Sequence, residues 1–209
     1  DEAETCLQTA IQFYTKSALQ QLLSYDLGNL GLVYLARGDL DNALYWTQKH
    51  IAHCEKIGFI SEQHRGHRNL GVILFYFKEY ERVIEETSIA HSYYERFGSR
   101  NGYGLDNLYT AMAEYHLGQP ESALQIIQET LEWSREIGSN ILELESMRCL
   151  AYISPADARL PLLEASLRMA RHMQRPFDEA ACLLSLAAHQ ADENVWQQGL
   201  NILMGLGAQ

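Results

Sequence analysis

The stretch LGNLGLVYLARGDLDNALYW, beginning at Leu27, returns in weaker form as HRNLGVILFYFKEYERVIEE from His67, a displacement of 40 residues. Self-similarity at a period of this size marks stacked structural units that cannot each bury an apolar face alone. Sliding the chain by 40 aligns the small residues Gly31, Gly71, Ala111 and Ala151, where two helices could approach closely. The same shift aligns Leu30, Leu70 and Leu150, with Thr110 interrupting the column. Leu44, Ile84 and Leu124 form another apolar column, and Ile57, Phe97 and Ile137 a third.

Gly58, Gly98 and Gly138 each close a run of helical period, the place where a left-handed residue ends a helix at low cost. A second break falls at RGDLDNA, FKEYERV and LGQPESA, where Asp39 can cap the following helix and Pro120 fits a first helical turn. Each unit therefore reads as two helices. The pattern predicts helices near 21–37, 39–57, 61–77, 79–97, 101–117, 119–137, 140–153, 156–173, 176–190 and 192–206. No alternating β-branched run bounded by hairpin turns is present, so the expected fold class is all-α.

These residues resemble the tetratricopeptide repeat (TPR) family in its longer, roughly 40-residue form. Leu30, Gly31, Tyr34 and Ala43 match the family pattern. The second copy keeps Leu70 and Gly71 but has Leu74 and Val83, and the third keeps Ala111 and Ala123 with Glu114 in the aromatic column. A fourth copy keeps Leu150 and Ala151 and is shortened around SPADARLP. The resemblance implies a right-handed superhelical solenoid of antiparallel helix pairs, one domain over 1–209 with repeats near 21–58, 61–98, 101–138, 140–174 and 176–206. Residues 1–19 read as the second helix of a truncated repeat, which suggests a piece of a longer protein. Arrays of similar pattern occur in bacterial multidomain regulators, including signal-responsive ATPases and transcriptional activators. A sensing region of that kind, holding a small ligand or an intramolecular segment, is one functional expectation.

Composition narrows the others. With 16 Lys and Arg against 27 Asp and Glu, the net charge of −11 disfavours direct nucleic-acid or anionic-membrane binding. Cys6, Cys54, Cys149 and Cys182 are widely spaced and form no CxxC pair, as expected of reduced, mostly buried thiols in a cytoplasmic protein. Neither a membrane-length apolar run nor a signal-like N-terminus occurs in the sequence. Phosphate-loop and nucleophile-elbow motifs are absent, and paired acids such as Glu85 and Glu86 have ordinary solvated spacing, so neither an enzyme nor a cofactor is expected.

The TPR resemblance implies that the first helix of each unit lines a concave groove. Carried onto this sequence, its ligand-facing columns hold Tyr25 and Asn29, then Arg65, Arg68, Asn69 and Tyr76, then Tyr109, Met112 and His116, then Arg148 and Tyr152. Asn29 and Asn69 share a column and could hold a peptide backbone through donor and acceptor together. The arginines could receive an acidic or carboxylate end, with the tyrosines as amphipathic contact surface. The expected function is non-enzymatic binding of a protein or peptide segment; the competing reading of the arginines is pairing with the chain's own carboxylates. A third expectation is a metal site from His50, His53, His64 and His67, two His-x-x-His pairs facing each other across the turn at Gly58. Against it stands packing of a histidine in the seam beside Glu55 or Glu62. Self-association is a further expectation, because the end of a truncated repeat would expose apolar residues such as Leu7, Ile11 and Tyr14.

Overall fold

The computed structural model describes residues 2–97 and 102–206, with 95–97 described as backbone only. Within it run α1 Glu2–Thr15, α2 Gln20–Ala36, α3 Leu40–Ile57, α4 Ile60–Tyr76, α5 Tyr80–Phe97 and α6 Tyr103–His116. They are followed by α7 Pro120–Glu136, α8 Asn140–Ile153, α9 Ala156–His172, α10 Pro176–Gln190 and α11 Glu193–Gly205. No strand occurs among the described residues, so the fold is all-α. Contacts divide the chain into two compact units, one ending at Ala113 and the other beginning at Glu114.

Helix ends follow the local chemistry. Asp39 accepts a hydrogen bond from the Asn42 amide and caps α3, and Pro120 occupies the first turn of α7, where a missing N–H costs nothing. Gly58 and Gly138 end their helices at φ 68° and 67°. The third member of that column, Gly98, lies outside the described residues. The turns inside each helix pair repeat the same device at Gly38, Lys78 and Gly118, with φ of 76°, 62° and 82°. The shortened fourth repeat ends differently: Ser154 turns to extended backbone, and Arg159 donates to the carbonyls of Ala151, Tyr152 and Ser154. One guanidinium thus satisfies acceptors that the end of α8 leaves open.

Packing in the first unit is sequential, α1 on α2, α2 on α3, α3 on α4 and α4 on α5, with α2 also touching α4. That last contact sets the first helices of neighbouring repeats side by side. The small-residue column makes the approach of each pair close: a β-carbon at residue 31 would stand 2.6 Å from Thr47 Oγ1, and one at residue 71 would stand 3.3 Å from Thr87 Cγ2. Ala43, Val83 and Ala123 are fully buried, whereas the next column decays outward from half-buried Leu44 and Ile84 to exposed Leu124. Thr110, the interruption in the leucine column, has a reason: its hydroxyl oxygen lies 2.8 Å from that of Thr87. Leu70, Leu74, Val83 and Ala113 form a core in this unit, flanked by Leu44, Ile51, Phe75, Tyr80, Ile84 and Tyr109.

The second unit has its own cores, one of Leu144, Ala170 and Cys182 and another of Ala151, Leu163 and Leu186. Its helices also pack in chain order, from α7 on α8 to α10 on α11. At the other end of the chain Glu4 ties α1 to α2, accepting from Tyr34 Oη and Arg37 Nη1 at 2.6 Å each. Leu7, Ile11 and Tyr14 are half-buried, and Phe13 of α1 is exposed. Among the described residues no helix is long and apolar enough to cross a membrane.

Candidate functional site

Three residues of α4, Arg65, Arg68 and Asn69, stand three and four positions apart, which places them on one face of the helix. Tyr25 and Asn29 of α2 share an edge with them: the Arg65 guanidinium lies 5.9 Å from the Tyr25 ring centre, and its Nη1 is 3.5 Å from Asn29 Oδ1. Tyr25 also meets Phe59 edge to face. The two asparagines of the shared column separate in the structure: Asn29 is exposed, whereas Asn69 is 7% exposed and its Nδ2 has no hydrogen-bond partner. Arg65 Nη2 is likewise a buried donor with no hydrogen-bond acceptor. Unsatisfied buried donors are costly and rare, but these lie beneath the surface, so the accessible part of this edge is Tyr25, Asn29 and the outer part of Arg65.

Each arginine also has a partner within the chain. Arg65 Nε donates to Glu62 Oε2 at 2.6 Å. Arg68 is drawn away from the edge, with its Nε 3.3 Å from Asp106 Oδ1 of α6 and its guanidinium against Tyr94 of α5. Asp106 is fully buried, and burial pushes its carboxyl up to about 7 despite the opposing Arg68 charge and Tyr94 hydroxyl. Tyr109 is half-buried against Phe75, at 5.8 Å between ring centres, and Tyr76 is 57% exposed.

Met112 does not stand as an open groove contact, being buried at 9% exposure. The 40-residue column fixed its register but not its azimuth.

In the second unit Tyr115, His116 and Tyr152 form a triangle of rings with centres 5.7 to 5.9 Å apart, and Tyr152 is 53% exposed. Arg148 is engaged with Glu145 at 3.0 Å and with the buried Asp178 of α10 at 3.5 Å. Both Arg68 and Arg148 therefore stand at the ninth position of a first helix and reach an aspartate in the first turn of the next first helix. The acidic halves of these pairs, Asp106 and Asp178, were not singled out from sequence; their signal was a carboxylate at the start of an otherwise apolar helix.

The four histidines are not brought together. His53 Nε2 is 3.0 Å from the Gln20 carbonyl on α2, whereas His64 Nδ1 is 2.8 Å from the Ile89 carbonyl and His67 Nδ1 2.6 Å from Glu86, both on α5. His50 is buried, 3.6 Å from Glu62. His53 thus faces α2 whereas His64 and His67 face α5, and no cluster of three or more potential metal ligands occurs among the described residues.

No protein-family model and no curated protein matches the sequence. Solved structures do match. BtubC from P. vanneervenii superposes with a TM-score of 0.66 at 13% identity, covering 100% of this chain and 91% of its own. The Rap conjugation gene regulator of plasmid pLS20, in complex with the Phr* peptide, gives 0.76 at 14% identity over 96% of this chain; the present chain spans only 57% of that protein's length. Kinesin light chain TPR-like repeats from Podosopora anserina give 0.55 at 13% identity, with 86% and 91% of the two chains covered. At these identities the likeness speaks for the fold. The chain is an all-helical repeat array with the fold of the TPR-like repeat proteins.

Proposed function

We propose that the protein is a non-enzymatic scaffold that holds a peptide or protein segment along the first helices of its repeats. The observation that carries this reading is the α2–α4 edge, where exposed Asn29 and Tyr25 stand beside the partly exposed guanidinium of Arg65. A carboxylate or backbone carbonyl can accept from Arg65 at this edge, and Asn29 can offer both bonding senses to the same strand. Tyr76 adds an exposed amphipathic ring for side-chain contact, and the second unit has exposed rings of its own at His116 and Tyr152. Arg65 is the better anchor for an acidic group, since Arg68 and Arg148 are held by buried aspartates. The Rap structure solved with the Phr* peptide shows that a related fold accommodates a peptide.

A displayed random-peptide library selected against the wild type, followed by measurement on Asn29→Ala and Arg65→Ala, tests the reading. Selected peptides should lose about tenfold in affinity with either substitution. Peptides that bind both variants as tightly as the wild type would move recognition off this face, and a library that yields none would remove the peptide reading.

A further inference from the structure

Where α3 meets α4, one carboxylate oxygen is shared by two bases. Glu62 Oε2 accepts from Arg65 Nε at 2.6 Å, and His50 Nε2 stands 3.6 Å from the same atom. His50 is fully buried, and neither of its ring nitrogens has a hydrogen-bond partner. The space around the group is cut to fit. A β-carbon at residue 28 would lie 2.8 Å from Arg65 Nη2 and 3.0 Å from the His50 ring, and one at residue 66 would lie 3.2 Å from His50 Nδ1. Two glycines, on α2 and α4, thus leave room for an imidazole and a guanidinium side by side.

An imidazole buried without a partner pays the full desolvation cost of its polar atoms, unless a second state repays it. The second state is at hand. A proton on Nε2 gives an N–H beside Glu62 Oε2, and a shift of a few tenths of an ångström makes a charge-assisted hydrogen bond. Burial alone would push Glu62 up, but the nearby His50 ring and the Arg65 guanidinium outweigh it and keep the carboxyl below its ordinary range. Glu62 is therefore an anion over which the two bases compete.

We propose that His50 is a proton-operated release for Arg65: when the ring takes up a proton, Glu62 turns to it and the guanidinium becomes available to an oxyanion at the α2–α4 edge. The role of that oxyanion as the acidic group of a bound segment rests on the function proposed above; the coupling itself does not. In charge terms, the trio changes from neutral to +1, so anion binding and proton uptake at His50 favour each other reciprocally. Other charged groups face this site. From α2 comes Tyr25, beside Arg65. On α3, His53 is turned to the Gln20 carbonyl and the Cys54 thiol is pushed up by burial, so it stays neutral; on α4, His67 is turned to Glu86.

The test is a pH titration from 8 to 5.5 followed by NMR at the His50 ring and the Arg65 Nε–H, without ligand and then with inorganic sulfate, whose charge is constant over that range. The Arg65 resonance should move in step with His50, and sulfate should bind at Arg65 about fivefold more tightly at pH 5.5 than at pH 8. In Glu62→Gln the Arg65 resonance should no longer follow His50. A ring that stays neutral to pH 5.5, an Arg65 signal indifferent to His50, unchanged sulfate affinity, or coupling that survives Glu62→Gln would each overturn the proposal. No peptide enters the experiment, so failure of the peptide reading and failure of this one remain distinguishable.

Discussion

Asp106 shows how far a residue's meaning depends on neighbours that a sequence does not display. It is one of several acids in the chain, yet it is fully buried and its carboxyl titrates near 7 because burial outweighs Arg68 and Tyr94. A folded-state value raised above the unfolded one means stability that is complete below about pH 4 and is lost as pH rises through 7. The wild type should therefore lose on the order of 4 kcal/mol between pH 4 and pH 8 from this group, and Asp106→Asn should remove that loss. Urea denaturation of both proteins at pH 5 and pH 8 measures it. The variant should gain relative to wild type at pH 8 more than at pH 5, and an equal difference at the two values would contradict the assignment. The same dependence on azimuth explains the site residues. Asn29 and Asn69 share a sequence column, and only the flanking helices decide that one is exposed and the other buried.

At the scale of the element, nearly everything was legible, because helix ends are local events. Asp39, Pro120, Gly58 and Gly138 announced their turns through capping chemistry and left-handed backbone. The breaks at Gln174 and Ala191 were expected as well, but not the positive φ that each adopts, which neither residue type signals. Lys78 is a similar case within a regular column: at φ 62° it sits where Gly38 and Gly118 stand in the neighbouring repeats. A left-handed residue with a β-carbon costs roughly 1–2 kcal/mol, partly offset by the entropy glycine loses on folding, so Lys78→Gly should stabilise by about 0.5–1 kcal/mol. Chemical denaturation monitored by circular dichroism reads this directly, and a loss of stability would mean that the lysine side chain contributes more than its backbone costs. Arg159 marks the opposite device, a side chain doing the work of a left-handed cap at the end of α8. Arg159→Ala should cost about 1–2 kcal/mol, and hydrogen exchange of the α8 and α9 amides would locate the loss.

At the scale of the molecule, the chain spreads its stability over successive neighbours instead of concentrating it in one core. In the first unit each helix mainly meets the next in sequence, with one additional contact between first helices, and the second unit has separate apolar clusters. Arrays of this kind behave as sums of repeat and nearest-neighbour terms, so damage should stay near where it is made. Leu74 is the sharpest place to test this, being fully buried among Leu70, Val83 and Ala113 with half-buried rings of Phe75, Tyr80 and Tyr109 around it. Truncating it to alanine removes about 2–5 kcal/mol by lost transfer energy and an unfilled cavity. Hydrogen exchange should quicken from α3 to α5 and leave α9 and α10 close to wild-type protection. An equal loss of protection in both units would show that the array opens as one cooperative body, which separate cores alone do not explain.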